Sequence, residues 1–556
     1  MKRFSISYFL LGMAATVLAT GIFAFTSNPS FFEVSKNLDV FNSLYKELNT
    51  YYVDELDPEK LTNTAMFEMC GSLDPYSDFI PEEDMAEYRQ QTTGRYGGIG
   101  AIIGTRGEFV MIQEPYEGFP AAKADLRAGD KIMSIDGQTV RKLNSDDVSR
   151  MLKGKPGTTV NVKLSRLQAD GQEKEFDVVL TREEIKIKNV PYYGMLDNHV
   201  GYIRLGSFTE KASNEVRNAL NLLSAKNELK GLVFDLRGNP GGLLNEAISI
   251  ASIFVDKNTD IVSTKGKTED QNKSYMSQAD PVDTKLPMVI LTDGGSASAA
   301  EIVSGSLQDL DRAVIVGQQT YGKGLVQSTR PLPFNAKLKL TTAKYYIPSG
   351  RCIQAINYAE RDANGSVKRR ADSLKVAYKT RNGRTVYDGV GINPDVEMEP
   401  EKLSQAAIAL LTKNMLFDYA IQYRAQHESI GNPRQFSLSD KEYEAFMNYV
   451  AAKEFAYTTQ SEKDLEQLKK VAEKEGVFAA IGSDYESMKQ KMMHDKKQDL
   501  LREKEQIKGI LEEEIASRYG WNAARIEASF KNDLDIKKAL SLLSEEGKIK
   551  SLLKKN

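Results

Sequence analysis

Residues 291–327 read LTDGGSASAAEIVSGSLQDLDRAVIVGQQTYGKGLVQ, and the rest of the chain is organised around this stretch. An apolar run, residues 287–291, passes through two glycines into SASAAE, after which apolar residues recur at a spacing that favours a helix. The pattern predicts a strand, a turn and a helix, with Ser298 at the turn. Unpaired backbone N–H groups and the positive end of the helix dipole lie beside a serine at such a turn, which suits a nucleophile whose reaction develops an oxyanion.

A serine nucleophile needs a base, and here a lysine is a better candidate than a histidine. The three histidines of the chain are scattered and none lies in this segment: His199, His427 and His494. Lys323 follows Ser298 by 25 residues, in a YGKG turn whose glycines let the backbone come close to another element. A lysine buried there can lose its proton and act as a general base.

Taken singly, these signals also fit tight helix packing and a solvated loop, but together they resemble a known family. GSASAAE followed by GKGLVQ at this spacing is similar to the carboxy-terminal processing, or tail-specific, proteases, which are serine peptidases with a Ser-Lys pair. The resemblance implies that Ser298 is the nucleophile, Lys323 the general base and Gln327 the side chain that orients the lysine. Asp309 stands where some members carry a functional acid. The alternative interpretation is structural, with the charge of Asp309 closing the helix.

A glycine-rich loop at residues 237–242, within the stretch DLRGNPGG (residues 235–242), follows a predicted buried strand and precedes a predicted helix, as in an α/β unit. It lacks the GK[ST] ending of a P-loop and the G-x-G-x-x-G spacing of a dinucleotide site, and no cofactor or metal is expected. In the resembled family this segment supplies one oxyanion-hole N–H from a glycine. The resemblance implies Ala299 together with Gly241 or Gly242, and the sequence leaves that choice open.

Residues 93–183 consist of short strand-like runs separated by glycine turns, with one longer helix at residues 145–152. A glycine loop, a strand, a short helix and GDKIMSIDG follow in an order that resembles a PDZ domain. The resemblance implies that the loop at residues 96–100 binds the terminal carboxylate of a peptide and that the strand at residues 101–104 pairs with the peptide. The residues expected to bind a peptide tail are Gly98, Ile99, Gly100, Ala101 and Ile102.

The pocket beside this strand is expected to be lined by Ile99, Ile102 and Val148. These side chains are apolar, so the sequence predicts a preference for tails that end in small or apolar residues.

The amino terminus predicts export. Lys2 and Arg3 precede an apolar stretch at residues 8–25, which is long for a signal-peptide core and just long enough to span a bilayer. A cleaved signal peptide and an uncleaved membrane anchor both fit. We therefore expect the rest of the chain in the periplasm or cell envelope, attached to the inner membrane or soluble.

With 556 residues the chain is long enough for several domains, and its net charge of −3 gives no indication of a nucleic-acid partner. We expect a multidomain α+β protein in which a PDZ domain precedes an α/β protease core that the resemblance implies to be crotonase-like or ClpP-like. The predicted segments are an export segment, 1–30; an amino-terminal helical region, 31–92; the PDZ domain, 93–183; the core, 184–400; and a carboxy-terminal helical domain, 401–556.

Beyond residue 401, charges alternate with apolar residues at helical spacing. These helices are expected to pack on the core or on a second subunit, or else to bind an adaptor or tether a substrate. The expected partners are protein or peptide substrates held by their C-terminal tails, with an adaptor and a homo-oligomer left open.

Two other classes fit less well. A catalytically inactive PDZ scaffold of the cell envelope would not need a lysine that can be desolvated beside a serine, and a crotonase-like acyl-CoA enzyme would explain neither the PDZ-like segment nor the export signal. The absence of HExxH argues against a zinc peptidase, and GSASA replaces the G-x-S-x-G of Ser-His-Asp hydrolases.

Overall fold

The structure, a computed structural model of the chain, describes residues 29–226, 228–361, 367–369, 375–453, 455–492 and 496–554. These residues form two compact units that divide after Pro81. The predicted export segment lies almost wholly outside the described residues. None of the described helices is both long enough and apolar enough to be a candidate for crossing a membrane.

The first unit consists of two helices, α1 (Pro29–Tyr51) and α2 (Pro58–Gly71), and a short strand, β1 (Asp78–Ile80). The start of α2 follows from its sequence, because the Asp57 side chain accepts hydrogen bonds from the N–H groups of Glu59 and Lys60 and a proline stands at the first helical position.

The second unit opens with α3 (Met85–Thr93) and a β-rich domain. Its helices are α4 (Pro120–Lys123) and α5 (Ser145–Leu152), the latter with the predicted bounds. Its strands are β2 (Arg95–Gly98), β3 (Ala101–Arg106), β4 (Phe109–Pro115), β5 (Lys131–Ile135), β6 (Gln138–Thr139), β7 (Thr159–Leu167), β8 (Glu173–Thr181) and β9 (Glu183–Lys186). The main sheet has the order β3, β4, β5, β7, β8, so that β3 is an edge strand.

A six-stranded sheet forms the centre of the α/β core, and its strands from β11 onward are parallel. In spatial order the strands are β10 (Tyr192–Met195), β11 (Val200–Arg204), β12 (Gly231–Asp235), β15 (Met288–Thr292), β16 (Val314–Gly317) and β23 (Val396–Glu397). Strands β12, β15 and β16 are buried along their whole length. Burial on both faces explains why their sequences are continuous apolar runs rather than alternating patterns.

One face of this sheet is covered by three helices that follow its own strands: α6 (Ala212–Lys226), α7 (Leu244–Ala251) and α8 (Ala299–Asp309). A second sheet contains β13 (Asp260–Gly266), β14 (Lys273–Met276), β17 (Leu325–Pro331) and β18 (Lys337–Tyr346). Two further antiparallel strand pairs are present among the described residues of the core, β19 (Ile356–Arg361) with β20 (Val367–Arg369), and β21 (Ala377–Lys379) with β22 (Thr385–Tyr387).

The carboxy-terminal region is helical, as predicted. Its helices are α9 (Gln405–Thr412), α10 (Met415–Gln426), α11 (Asp440–Ala452), α12 (Gln460–Lys474), α13 (Phe478–Met492), α14 (Lys496–Arg502), α15 (Lys504–Ser529), α16 (Leu534–Ser544) and α17 (Lys548–Leu552).

The last of these helices cover the other face of the central sheet. Their apolar side chains pack on Val233, Val289, Leu291, Val314 and Val316, and the residues that do so are Ile526, Ile536, Ala539, Leu542 and Ile549. Of the roles considered for this region, packing on the core is therefore observed. The fold class is confirmed: a β-rich domain precedes an α/β core, with helical segments at both ends of the described chain.

Candidate active site

The predicted catalytic segments meet at one edge of the central sheet. Strands β12, β15 and β16 run parallel and end at this edge. The loop after β12 is the glycine loop (residues 237–242), the turn after β15 is the serine turn (residues 293–298), and the loop after β16 contains the lysine turn (residues 320–324). Because the carboxyl ends of parallel strands share an edge, three segments far apart in the sequence converge.

Ser298 lies immediately before the first turn of α8 and is half-buried. Its backbone has φ 55° and ψ −114°, and a residue other than glycine held at positive φ costs of order 1–3 kcal/mol. Both neighbouring loops hold this turn: Ala297 N donates to Asn239 O at 2.9 Å, and Tyr321 N donates to Ser296 O at 3.0 Å. The strained serine is thus fixed between the glycine loop and the lysine turn.

The carboxylate of Glu301 links the predicted nucleophile and base. Oε2 accepts hydrogen bonds from Ser298 N at 2.8 Å and from Lys323 N at 2.9 Å. Oε1 accepts from Gly322 N at 2.7 Å and from the Thr320 hydroxyl at 2.5 Å. Burial raises the pKa of Glu301 to about 7, although these hydrogen bonds oppose the rise. One fully buried carboxylate therefore orders the backbone of both segments.

Tyr345 on β18 makes a second link. Its hydroxyl lies 2.6 Å from Lys323 O and 3.1 Å from Ser298 O, and the ring is fully buried. Because the hydroxyl carries one proton, the two carbonyl groups share a single donor. Burial raises the pKa of Tyr345 well above its ordinary value, so the hydroxyl stays protonated.

The roles of Glu301 and Tyr345 were not predicted from the sequence. For Glu301 a signal was present, because S-A-A-E at residues 298–301 is the pattern of a capping box, in which the acid three residues into a helix bonds to the backbone N–H at its start. For Tyr345 the chain has 25 tyrosines and no local pattern that distinguishes this one.

The glycine loop lies directly against Ser298. Gly241 has φ 97°, and a Cβ at this position would lie 2.8 Å from both Ser298 Cβ and Ala299 N, so that glycine is required. The N–H of Gly241 is already engaged, because it donates to the Asn239 side-chain oxygen at 2.8 Å. In the part of the chain that the structure describes, the N–H groups of Gly242 and Ala299 donate to no acceptor.

Asp293 joins the glycine loop to the serine turn. Its Oδ1 accepts hydrogen bonds from Gly238 N at 2.8 Å and from Gly295 N at 2.9 Å. Together with the bond between Ala297 and Asn239, this contact fixes the spacing between the two loops.

Gln327 lies on β17, four residues after Lys323. Its amide nitrogen donates to Thr341 Oγ1 on β18 at 3.1 Å. The predicted role of Gln327 in orienting the lysine stays a prediction.

Asp309 is the last residue of α8, roughly 15 Å along the helix from Ala299 at 1.5 Å per residue. It forms a buried ion pair with Arg351, at 2.8 Å between Oδ1 and Nη2, and its Oδ2 accepts a hydrogen bond from Ser349 N at 3.0 Å. These contacts favour the structural alternative, and the role of an accessory acid stays a prediction.

The histidine alternative can be judged for two of the three residues. His199 is exposed and immediately precedes β11, at the amino end of the parallel strands, whereas the site lies at their carboxyl ends. Five residues of strand separate the two edges by roughly 16 Å. His427 stacks on Tyr423 with 4.0 Å between ring centroids, and His494 lies outside the described residues.

A groove, here called the tail groove, runs between β3 and α5 of the β-rich domain. Residues of the strand, the helix and the loop before the strand line it, among them Gly98, Ile99, Ala101, Ile102, Ser149 and Leu152. At the loop, Ile99 O accepts from Ala121 N and Gly100 O from Tyr116 N, both at 2.8 Å. The N–H groups of Ile99 and Gly100 donate to no acceptor within the described residues. Two available donors thus lie at the end of an unpaired strand edge.

The expected lining of this groove needs two corrections. Val148 does not line it, since its side chain points into the core of the domain and is fully buried. Nor is the groove wholly apolar, because α5 contributes Ser145 and Ser149. Lys153 also lines the groove; its Nζ donates to Gln90 Oε1 at 2.9 Å.

Comparison with known protein families gives three matches. The model of peptidase family S41 matches residues 199–362, a PDZ domain model matches residues 92–180, and a model described as the C-terminal helical domain of a probable PDZ-protease matches residues 406–543.

Two curated relatives match the chain over most of their own length. The carboxy-terminal-processing protease of Bartonella bacilliformis is 38% identical over 324 residues, which are 58% of this chain and 73% of that protein. The carboxy-terminal processing protease CtpA of Bacillus subtilis is 31% identical over 345 residues, 62% of this chain and 72% of that protein. Among solved structures, a photosystem II D1 C-terminal processing protease is 27% identical, with a TM-score of 0.36, over 66% of this chain and 93% of that chain.

A shared PDZ domain alone would not give this similarity, since the PDZ match covers residues 92–180 whereas the Bartonella protease aligns over 324 residues. The chain therefore belongs to the carboxy-terminal processing proteases of peptidase family S41, which are serine-type peptidases.

Proposed function

We propose that Ser298 and Lys323 form the catalytic dyad of an endopeptidase that cleaves exported proteins selected through their C-terminal tails. The observation that supports this most strongly is the Glu301 carboxylate, which accepts hydrogen bonds from the backbone N–H groups of both residues. A buried carboxylate that ties a serine turn to a lysine turn through their backbones is suited to holding the two residues in a fixed relation.

In the proposed reaction, Ser298 Oγ bonds to the carbonyl carbon of the peptide while the neutral amine of Lys323 takes the hydroxyl proton. The carbon–nitrogen bond then breaks, and Lys323 returns the proton to the leaving amine. An ester remains on Ser298. Water, activated by the same lysine, hydrolyses this ester and restores the serine.

The oxyanion of the tetrahedral intermediate is held by Gly242 N–H and Ala299 N–H. Both groups lack an acceptor among the described residues, whereas the N–H of Gly241 donates to Asn239. A donor that is already satisfied inside the protein is not available to a developing charge, so of the two candidate glycines Gly242 is the better one.

Substrate selection is assigned to the tail groove. A peptide added to the free edge of β3 gains main-chain hydrogen bonds, and its terminal carboxylate meets the N–H groups of Ile99 and Gly100. Leu152, near this end, offers the last side chain an apolar surface, while Ser145 and Ser149 face residues upstream. We therefore expect the groove to prefer an apolar final residue and to accept polar residues before it.

The dyad is tested with an unfolded reporter protein that has a free, apolar carboxyl end. Ser298→Ala and Lys323→Ala should each abolish cleavage, and Lys323→Arg should be equally inactive because a guanidinium does not give up its proton at the pH of the assay. Lys257→Arg, at a surface lysine outside the site, is the matched control and should keep full activity. Cleavage that survives in either Lys323 variant would assign the base to another residue.

Tail selection is tested with the same reporter carrying a free or an amidated carboxyl end. The free end should be cleaved faster, and deleting residues 94–182 should remove the difference. Equal rates for the two ends in the full chain would overturn tail reading while leaving the dyad intact. An inactive scaffold, the alternative class, would bind the free tail and cleave neither reporter.

The proposed location is the periplasm or cell envelope, with Lys2, Arg3 and the apolar residues 8–25 directing export. Protease added to intact spheroplasts should digest the chain beyond residue 31 at the rate of a periplasmic marker. Protection equal to that of a cytoplasmic marker would contradict export.

A further inference from the structure

The glycine loop begins with Arg237, a cation that is buried among carboxylates. The side chain is 15% exposed. Nε and Nη2 donate to the two oxygens of Asp235, at 3.0 and 2.7 Å, in the bidentate geometry that arginine and carboxylate favour. Asp235 ends β12 and is fully buried, and the Tyr202 hydroxyl donates to it at 2.7 Å. These contacts account for one side of the guanidinium.

The other side of the guanidinium is held by the carboxy-terminal helical region, almost 300 residues later in the chain. Nη2 donates to Asp533 Oδ2 at 2.8 Å, and Nη1 donates to Asp533 Oδ1 at 3.1 Å and to Asp535 Oδ2 at 3.0 Å. Both aspartates are mostly buried, each with a side chain that is 15% exposed. Arg237 thus donates three hydrogen bonds to this region. It also donates three within the core, all to Asp235, one of them from its backbone N–H.

The two aspartates are themselves fixed. Asp533 is the N-cap of α16, where its side chain accepts a hydrogen bond from Ile536 N at 3.0 Å, and Asp535 lies in the first turn. Helix α16 packs on the central sheet through Ile536, Ala539 and Leu542. The carboxylates are therefore carried on an element that is anchored to the same sheet whose edge bears the active site.

Arg237 is joined to the proposed oxyanion hole by a short and constrained path. Gly238, the next residue, donates its N–H to Asp293 of the serine turn at 2.8 Å, and Asn239 is bonded to Ala297 and Gly241. A displacement of Arg237 would therefore disturb the hydrogen bonds of Gly238 and Asn239. These bonds fix the loop that ends in Gly242, so the position of Gly242 would change as well. In a site built from preorganised donors, a displacement of about 1 Å lowers the rate strongly.

We propose that Asp533 and Asp535 are positioning residues for catalysis, and that the carboxy-terminal helical region completes the active site by clamping Arg237 so that the glycine loop presents the Gly242 N–H to the oxyanion. The inference rests on the proposed function, because it takes Ser298 and the oxyanion hole as the reacting centre. In this proposal the carboxy-terminal helical region supports catalysis as well as packing on the sheet.

The test replaces each aspartate by asparagine, singly and together, in the full chain. Asparagine is as good an N-cap as aspartate, so Asp533→Asn keeps the start of α16 while removing the charged partner of Arg237. The double variant should lower kcat per folded molecule about tenfold, as expected when a charge-assisted contact that orders an oxyanion donor is lost, with KM for a tailed substrate unchanged. Affinity for a peptide aldehyde, which forms a tetrahedral adduct with the serine, should fall by the same factor.

Asp440→Asn is the matched control, because Asp440 also lies in the first turn of a helix of this region and pairs with Lys504, but at an exposed site. It should leave kcat and aldehyde affinity unchanged. Asp533→Glu and Asp535→Glu keep the charge and should recover part of the lost rate.

Failure of this proposal and failure of the proposed function give different results. A double variant with a lower Tm but unchanged kcat and aldehyde affinity would make the aspartates purely structural and overturn the positioning role. If Ser298→Ala retains activity, the proposed function itself fails, whatever the aspartate variants do.

Discussion

At the scale of single residues, Glu301 stabilises a site that contains a strained backbone. Ser298 occupies a backbone conformation that residues other than glycine avoid, and it persists because neighbouring contacts determine it. Four donors converge on the Glu301 carboxylate, two from backbone groups of the serine and lysine residues. Each carboxylate oxygen accepts two of them, so the ionised form satisfies all four at once.

The first prediction is that Glu301→Gln impairs catalysis without unfolding the chain. An amide offers one acceptor oxygen and one donor nitrogen, so two of the four donors would face an NH2 group. Leaving buried donors unsatisfied costs about 1–3 kcal/mol, and we expect kcat to fall roughly 10-fold to 100-fold. Glu442→Gln, in the capping box at the start of α11, is the control and should leave kcat unchanged. If the two substitutions lowered kcat equally, Glu301 would act only as a helix cap, and the prediction would be wrong.

The second prediction concerns stability and pH. Burial raises the pKa of Glu301 from 4.5 to about 7, so between these values the folded chain holds a proton that the unfolded chain has lost. The contribution of this group to stability is therefore complete below about pH 4.5 and is lost as the pH rises through about 7. The free energy of unfolding of the wild type and of Glu301→Gln is measured by urea titration at several pH values. Relative to the variant, the wild type should lose up to about 3 kcal/mol of stability as the pH rises from about 5 to about 8. A difference that does not change with pH would contradict it.

The third prediction distinguishes the two roles considered for Asp309. Asp309→Asn leaves Arg351 buried with a neutral partner, and removing one member of a buried ion pair destabilises a protein by about 3–5 kcal/mol. Thermal unfolding should show this loss, whereas kcat per folded molecule at low temperature should stay within about twofold of the wild type. Lost activity at unchanged Tm would instead support an accessory acid.

At the scale of elements, the tail groove combines parts whose roles differ. The edge of β3 supplies main-chain pairing, the loop before it supplies N–H donors, and the end of α5 brings Lys153 to the same place, its Cα close to Gly98. Burial of a peptide carboxylate at this point would place its charge near the Lys153 ammonium, which now bonds to the neutral side chain of Gln90. We therefore expect Lys153 to contribute to selectivity for a free chain end.

The fourth prediction follows: Lys153→Gln should raise KM for a substrate with a free carboxyl end about threefold to tenfold, because a charge-assisted interaction is replaced by a neutral one. The same substrate with an amidated end should be unaffected, since it has no carboxylate. Lys155→Gln, two residues away and exposed, is the control. If the KM values of free and amidated substrates change alike, Lys153 does not read the chain end.

Some elements around the candidate active site and the tail groove could be predicted from local patterns, and others could not. The buried strands β12 and β15 are recognisable as continuous apolar runs, and the predicted bounds of α5 are correct. The sequence places Val148 in the tail groove, but it lies in the core, because successive helical residues differ by about 100° and tertiary packing decides which one faces the strand. The partners of Glu301 come from two separate segments, and no local pattern encodes such a meeting.

At the scale of the whole second unit, the carboxy-terminal helices join parts that the sequence separates. Helix α15 bends at Gly520 and Trp521, and the N–H of Asn522 just beyond the bend donates to Glu114 on β4 of the PDZ domain at 2.9 Å. Further along the chain, Asp535 contacts Arg237 of the core. The sequence predicts that helices of this region pack on the core or on a second subunit, but its alternating charges do not indicate that α16 is one of the helices that cover the sheet.

The last prediction is that α16 is required for the core itself to be stable. Leu542 is 4% exposed and packs on the central sheet, whereas its neighbour Ser541 on the same helix is exposed. Leu542→Asp would bury an unpaired carboxylate against apolar strands and remove a core side chain, each of which destabilises a protein by about 2–5 kcal/mol. Ser541→Asp adds the same charge at the surface and should change Tm little. In a thermal melt followed by loss of protease activity, Leu542→Asp should therefore inactivate at a much lower temperature than either Ser541→Asp or the wild type. A carboxy-terminal region that folded independently of the core would give the opposite result: its own transition would shift, and the inactivation temperature of the protease would stay where it is in the wild type.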